Sequence, residues 1–202
     1  MGSSARTGPE TVAGRKGRET RRRILDAVEK RCLEVHHREI TVGEIARSAQ
    51  VSPATFYTYF PDVVAATAEV AQRHLDMFAP VVHAASELAD PDVDEQDYQD
   101  FVGLFYEFWR GRRGLLETII ASEVEEDPRY FRVLLRLMMS VTYALAPAVR
   151  TGHRVGVAGS LVMMLTSSAA RIDGFARDGV PFDDLIASQA FILRAALQAS
   201  AD

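Results

Sequence analysis

The chain has 202 residues, nearly half of them hydrophobic, enough for a substantial globular core and too many for general disorder. Its net charge of −5 weighs against a nucleic-acid partner until the distribution is read: residues 1–60 carry 11 Lys/Arg against 7 Asp/Glu, and residues 61–202 carry 12 against 21. A basic N-terminal third on an acidic remainder suits a protein that presents one end to a polyanion. The one cysteine, Cys32, excludes an internal disulfide and reads as a buried structural thiol. No apolar run approaches the ~18 residues of a membrane span. The charged N-terminus lacks the apolar stretch of a secretory signal, so the expected compartment is the cytoplasm.

Residues 1–17, rich in Gly, Ser, Thr and Arg with little to bury, read as a flexible basic arm. A helix is predicted from about Arg18 to Val35, with Ile24, Leu25, Val28, Cys32 and Val35 on one face. His36-His37-Arg38-Glu39 interrupts it. Thr41 then starts a short helix as N-cap, and Glu44 three residues later completes a capping box. Val42, Ile45, Ala46 and Ala49 form the inner face of that helix. After a turn through Gln50 and Val51, Ser52 caps a second short helix and Pro53 takes its first position. Phe56 and Phe60, four apart, point into a small three-helix core. Two short helices joined by a tight turn, the second offering small, polar and aromatic groups to solvent, is the layout of a helix-turn-helix.

Beyond Asp62, which reads as a cap for the next helix, the pattern stays helical, with no strand-like alternation. Segments are predicted at about 62–86, 95–111, 113–125, 129–147, 154–178 and 182–199, separated by Gly and Pro punctuation, with Pro80 ending or kinking the first. The fold class is therefore all-α. A helix-turn-helix domain over 18–61 is followed by a helical domain over 62–202.

The motif Thr41-Val-x-x-Ile-Ala-x-x-Ala-x-Val-Ser-x-x-Thr-Phe-Tyr-x-Tyr-Phe60, preceded by Arg22-x-Ile-Leu-x-Ala27, resembles the DNA-binding domain of the TetR family of bacterial repressors. The likeness spans about 18–66. It implies a homodimer on a double-stranded palindromic operator, with a small effector in each C-terminal domain whose binding releases the DNA. It also implies roles: Thr41 and Tyr59 toward phosphates, Ser52, Ala54, Thr55 and Tyr57 on the reading helix, and Thr58 near its edge. Two positions depart from the family pattern. Val63 stands where many relatives carry a lysine, and Gln50 where the turn usually has glycine, a residue better suited to a left-handed backbone.

Backbone contacts set register and base-edge contacts set sequence. Ser52 and the first-turn amides suit a phosphate at a helix N-terminus. Arg18, Arg21, Arg22 and Arg23 lie in or before the first turns of the opening helix, and one or two of them, Arg18 and Arg22, are expected to approach the phosphate backbone. Arg47 and Gln50 flank the groove. The reading helix holds no Arg, Lys, Asn or Gln between Ser52 and Phe60. With no bidentate partner for guanine or adenine there, apolar contacts, phosphate placement and DNA shape are expected to supply much of the specificity.

In the acidic domain, Phe101, Phe105, Phe108 and Trp109 share a helical face, with Met138, Met139 and Met163 or Met164 expected opposite. Aromatic and methionine side chains suit a pocket for a flexible apolar effector. Thr142, Tyr143 and Thr166 complete the predicted lining, and Tyr106 and Arg171 are further polar anchors. The wide apolar faces of the last two long segments predict a four-helix bundle across a twofold axis, through Leu161, Leu165, Ile172, Leu185, Phe191 and Ile192. Small residues (Gly156, Gly159, Ser160, Ala169, Ala190) would allow close approach.

The contiguous acidic run Glu123–Asp127 reads as a solvated helix end, and no histidine pair has ligand spacing, so no metal or other cofactor is expected. No phosphate loop, nucleophile elbow or His-Glu-x-x-His run points to an enzyme. The leading reading is a ligand-responsive transcriptional repressor with no membrane association. Alternatives are a DNA-binding activator or partner-controlled regulator, and a small-molecule-binding all-α protein with vestigial DNA binding.

Overall fold

The computed structural model describes residues 12–34, 40–117 and 128–199. The expected interruption at His36–Glu39 and the acidic run Glu123–Asp127 lie outside them, as does most of the predicted arm. Among the described residues every regular element is helical. The chain divides into two compact units, 1–70 and 71–202. The division falls inside a helix, nine residues later than the expected boundary after 61.

In the first unit α1 spans Val12–Glu34, α2 Val42–Ser48 and α3 Pro53–Tyr59, and α4, Val63–Asp76, begins there. Helix α1 starts six residues before the predicted Arg18, so residues 12–17 belong to a helix and not to an arm. The three apolar faces converge as their spacing requires: Ile24, Leu25, Val28 and Cys32 meet Ile45, Ala46, Ala49, Phe56 and Phe60, all buried. Arg31 of α1 pairs with Glu44 of α2 at 2.9 Å. Asp62 Oδ1 accepts from the Ala65 amide at 2.7 Å, so the cap expected for α4 is in place.

The turn between α2 and α3 follows from helix-end chemistry. Gln50 stands at φ 54°. Its amide donates to Arg47 O at 3.2 Å, and the Val51 amide donates to Ala46 O at 2.9 Å. That pair of bonds is a Schellman motif, which closes a helix through a left-handed residue usually supplied by glycine. Gly179, at φ 80°, serves the same purpose after a later helix.

The second unit holds the end of α4, then α5 (Ala79–Glu87), α6 (Glu95–Arg110), α7 (113–117), α8 (Pro128–Leu145), a 3-10 turn (Ala146–Ala148), α9 (Arg154–Ala169), α10 (Ile172–Arg177) and α11 (Phe182–Gln198). Pro80 sits in the first turn of α5, where its missing N–H is harmless, and the predicted helix 62–86 breaks just before it. The predicted segment 154–178 also divides. The chain turns at Ala170–Arg171, with the Arg171 amide on Ser168 O at 3.0 Å, and α10 then brings Asp173 to Arg113 as an ion pair.

Helices α6 and α11 run antiparallel. Glu95 meets Arg194 at 2.8 Å near one end, and Arg110 lies 5.0 Å from the Phe182 ring centre near the other. Helix α9 packs on α6, α8 and α11. Gly159 of α9 faces Thr142 of α8, where an added Cβ would lie 3.8 Å from Thr142 Cγ2, an ordinary van der Waals contact.

One stretch departs from the expectation about apolar runs. Residues Phe131–Ala148 reach a mean hydropathy of 1.2 over 18 residues, the composition of a membrane span. Here the stretch belongs to an amphipathic helix, 39% of it buried. Leu134, Leu137, Val141 and Leu145 of α8 are buried, and the helix packs against α5 and α9. Arg132 and Arg136 stand on its exposed side.

Candidate functional site

The short helix α3 is built from its N-cap outward. Ser52 Oγ accepts from the Thr55 amide at 3.0 Å, and Pro53 fills the first position. Phe56 and Phe60, with ring centres 5.8 Å apart, fix the inner side. Ser52, Ala54, Tyr57 and Thr58 are left exposed with Thr55 at the margin, and Arg47 and Gln50 are exposed beside them. Tyr57 is 57% exposed, its ring edge-on to Phe56 at 5.6 Å.

Several hydroxyls on this face already have partners. Thr55 Oγ1 and Ser52 Oγ share a hydrogen bond of 2.9 Å, and Thr58 Oγ1 donates to Ala54 O at 3.1 Å. Thr41 Oγ1 donates to Glu44 Oε2 at 3.0 Å and accepts from the Glu44 amide at 3.3 Å, so it is committed to the capping box. That hydroxyl, followed by the backbone bond and Arg31, holds the Glu44 carboxyl below its usual range.

The arginines of α1 divide by role. Arg18 and Arg22 are exposed, and Arg22 pairs within its helix with Glu19 at 2.7 Å and Asp26 at 3.2 Å. Arg21 pairs with Glu69 and lies 5.0 Å from the Phe60 ring centre, which makes it a structural clamp. Tyr59 is half-buried, its Oη 3.6 Å from the place a side chain would take at Gly17.

In the second unit an apolar cavity of about 430 Å³ lies between α8 and α9, lined by Leu134, Met138, Met163, Thr166, Ser167, Ala170 and Arg171. Met138, Met163 and Thr166 were predicted for a pocket. Helical spacing would have added Leu134, four before Met138, and Ala170, four after Thr166.

The predicted aromatics lie elsewhere. Phe101, Phe105, Phe108 and Trp109 are buried among themselves and against Phe78, whose ring centre is 4.5 Å from that of Phe108. Phe105 and Trp109 stack at 5.9 Å. These side chains are core and do not line this cavity. Met139 is half-buried outside it. Thr142 is buried with its hydroxyl on Met138 O at 2.9 Å. Tyr143 is 61% exposed, because the buried Val141 and Leu145 turn it to solvent.

The predicted dimer face needs the same correction. Leu161, Leu165, Ile172 and Leu185 are buried inside their own subunit, where α9, α10 and α11 close the core. Phe191 and Ile192 do face outward. Beside them on α11 lie exposed Ser188 and Ala195, and the outward side of α9 carries Gly156, Ser160 and Met163.

Comparison with known proteins agrees with this architecture. Residues 92–197, more than half of the chain, match the profile of the tetracyclin repressor-like C-terminal domain. A TetR-family member from Streptomyces coelicolor A3 superposes with a TM-score of 0.67 at 19% identity, over 87% of this chain and 98% of that one. The multidrug binding protein EbrR, solved with imidazole, gives 0.65 at 21% identity, over 96% and 98%. FadR from Thermus thermophilus, a TetR-family repressor solved with lauroyl-CoA, gives 0.60 at 18%, over 90% and 96%. At such identities the likeness is one of fold. No curated protein matches the chain. The profile match over 92–197, behind a helix-turn-helix with its caps and turn in place, shows that the chain belongs to the TetR family of transcriptional regulators.

Proposed function

We propose that the protein is a ligand-responsive transcriptional repressor which binds a palindromic operator as a homodimer and leaves it when a small, largely hydrophobic effector binds. The observation that carries this reading is the outward face of α3. Ser52, Ala54, Thr55, Tyr57 and Thr58 are held on a capped helix whose inner face is locked by Phe56 and Phe60. A rigid helix with a small, partly apolar surface fits the major groove, and Ala54 and the Thr55 methyl suit thymine methyl groups. Arg18, Arg22, Arg47, Gln50, Thr41 and Tyr59 flank that helix in the first unit and are assigned to the backbone or the groove edge. The occupied hydroxyls of Thr41 and Thr58 shift emphasis from direct readout to phosphate placement and DNA shape.

The cavity between α8 and α9 is the proposed effector site, with Leu134, Met138 and Met163 as its apolar lining. The subunits pair through the outward sides of α9 and α11, with Phe191 and Ile192 as anchors and the small residues Gly156, Ser160 and Ser188 allowing close approach.

Footprinting and fluorescence anisotropy on DNA upstream of the gene test the reading. A protected palindrome is expected, with affinity falling steeply as salt rises. Tyr57→Ala should weaken binding about tenfold or more while leaving the thermal midpoint nearly unchanged, as for a largely exposed contact residue. Absence of any protected palindrome at modest salt overturns the proposal in favour of a small-molecule-binding protein with vestigial DNA binding.

A further inference from the structure

The cavity between α8 and α9 has a single charged residue in its wall. Leu134, Met138, Met163 and Ala170 make the wall mostly apolar, and Thr166, Ser167 and Arg171 supply its polar groups. Thr166 and Ser167 stand in the last turn of α9 and Arg171 just beyond it, so the polar groups gather at that end of the helix. Residues 61–202 carry 21 Asp/Glu against 12 Lys/Arg. A wall whose sole charge is an arginine therefore runs against the sign of its domain.

The partners of Arg171 leave its charge unneutralised. One nitrogen, Nη1, donates to Ser167 O at 3.2 Å and to Ser167 Oγ at 2.5 Å, and no carboxylate among the described residues pairs with it. Other arginines of the unit differ: Arg110, Arg113 and Arg194 each meet a carboxylate. Asp173, two residues along from Arg171, is taken by Arg113. With both uncharged acceptors on one nitrogen, the rest of the guanidinium fork has donors to spare. Thr166 adds a second polar point in the same wall. Its Oγ1 is buried without a hydrogen-bond partner among the described protein atoms, whereas Thr142 of α8 and Ser160 of α9 each donate to the backbone carbonyl four residues earlier. A buried hydroxyl left unmet keeps its desolvation cost, which a guest acceptor would remove.

From this wall we infer that the effector is an amphipathic monocarboxylate, a flexible apolar chain on Leu134, Met138 and Met163 with its head group on Arg171 and Thr166. The inference rests on the reading of this cavity as the effector site. Two carboxylate oxygens match the planar fork of a guanidinium, and their spare lone pairs accept from the Thr166 hydroxyl. An alcohol offers the arginine one uncharged acceptor. An ammonium meets a like charge with no carboxylate in the wall to offset it. Arg171 is exposed at the cavity margin, so the head group keeps contact with water while the chain is buried, and no charge has to be taken into the core. The two methionines suit a flexible chain because they adapt to its shape.

Calorimetric titration of the full-length protein without DNA provides the test, so its outcome is independent of operator binding. Three probes of equal chain length are compared at neutral pH: octanoate, 1-octanol and octylamine. Octanoate should bind about five- to tenfold more tightly than octanol, the advantage of a charge-assisted bond made near water, and octylamine should bind weakest. Raising salt from about 0.05 M to about 0.5 M should narrow that advantage and leave octanol nearly unchanged. Arg171→Gln should remove the advantage without weakening octanol, and Arg171→Lys should restore only part of it. Octanol binding as tightly as octanoate, or an advantage that Arg171→Gln keeps, overturns the inference. Met138→Trp, with Ala170→Leu as a second block from the α9 side, tests the cavity itself and should abolish binding of both probes. If the blocked variants, folded by circular dichroism, still bind them, or if the parent binds neither, the cavity is not the effector site and both readings fall. If the blocks abolish binding but octanoate and octanol bind the parent equally, the cavity stands and the carboxylate alone is overturned.

Discussion

The guanidinium of Arg21 lies 5.0 Å from the centre of the Phe60 ring while pairing with Glu69, so one side chain of α1 holds both the end of α3 and the middle of α4. Phe60 is the buried C-cap residue of the reading helix. Arg21→Ala should therefore lower stability by about 1 kcal/mol, the sum of a partly exposed cation–π contact and a partly exposed ion pair. Urea denaturation followed by circular dichroism checks the value. Arg21→Lys should recover only part of the loss, because an ammonium does not span ring and carboxylate as a planar fork does. Full recovery by lysine would show that charge alone matters.

Gln50 provides a second test, in which stability and recognition move in opposite directions. A non-glycine residue in the left-handed region stores strain that glycine relieves. Gln50→Gly should raise stability by about 0.5–1 kcal/mol, read from the urea midpoint. If the exposed amide also touches the groove edge, operator affinity should fall in the same variant. A destabilised variant would mean that the Gln50 side chain supports the turn in ways its exposure does not suggest.

How much of this was legible beforehand depended on the range of the interactions. Caps and turn chemistry act over three or four residues. The Thr41–Glu44 box, the Ser52 cap and Pro53 could therefore be read from the chain alone, while Gln50 stands out only against the family pattern. The face of a long helix is another matter. Leu161, Leu165 and Leu185 share the periodicity of Phe191 and Ile192, yet the former are buried at home and the latter are exposed. Periodicity marks an apolar stripe without saying which edge meets the subunit core and which meets a partner. The aromatic part of the expected lining falls outside the α8–α9 cavity for a similar reason. Phe101, Phe105 and Trp109 have the composition of a cavity wall, but their rings fill one another's space against Phe78.

That division gives a third prediction. Leu165, fully buried, should behave as core: Leu165→Ala should cost about 2–5 kcal/mol, seen in the denaturation midpoint. Phe191, 69% exposed, should behave as an interface anchor. Phe191→Asp should leave the fold intact, judged by far-ultraviolet circular dichroism, but drive the protein to a monomer in sedimentation velocity and weaken operator binding. A Phe191→Asp protein that remains a dimer would place the pairing surface elsewhere.

Alkaline pH supplies the last prediction, with Cys32 and Tyr106 as the groups concerned. Burial pushes the Cys32 thiol from 9.0 up to about 11, and burial likewise pushes the Tyr106 phenol from 10.0 up to about 12. Both are acids whose neutral form the fold favours. Between the unfolded and folded values the native state keeps a proton that the unfolded chain has released, so stability falls as pH rises through that window. Below about pH 9 neither group contributes a slope. Above it Cys32 and then Tyr106 together steepen the loss, by at most about 1.4 kcal/mol per pH unit for each. The urea midpoint should hold steady near neutral pH and drop between about pH 9 and 11, and Cys32→Ala should flatten the first part of that drop. The same burial should keep the native thiol unreactive toward iodoacetamide at about pH 8 until the chain is unfolded. Rapid alkylation of the folded protein, or an alkaline limb that Cys32→Ala leaves unchanged, would show that the thiol is more open to water than its place among Leu25, Val28 and Thr67 implies.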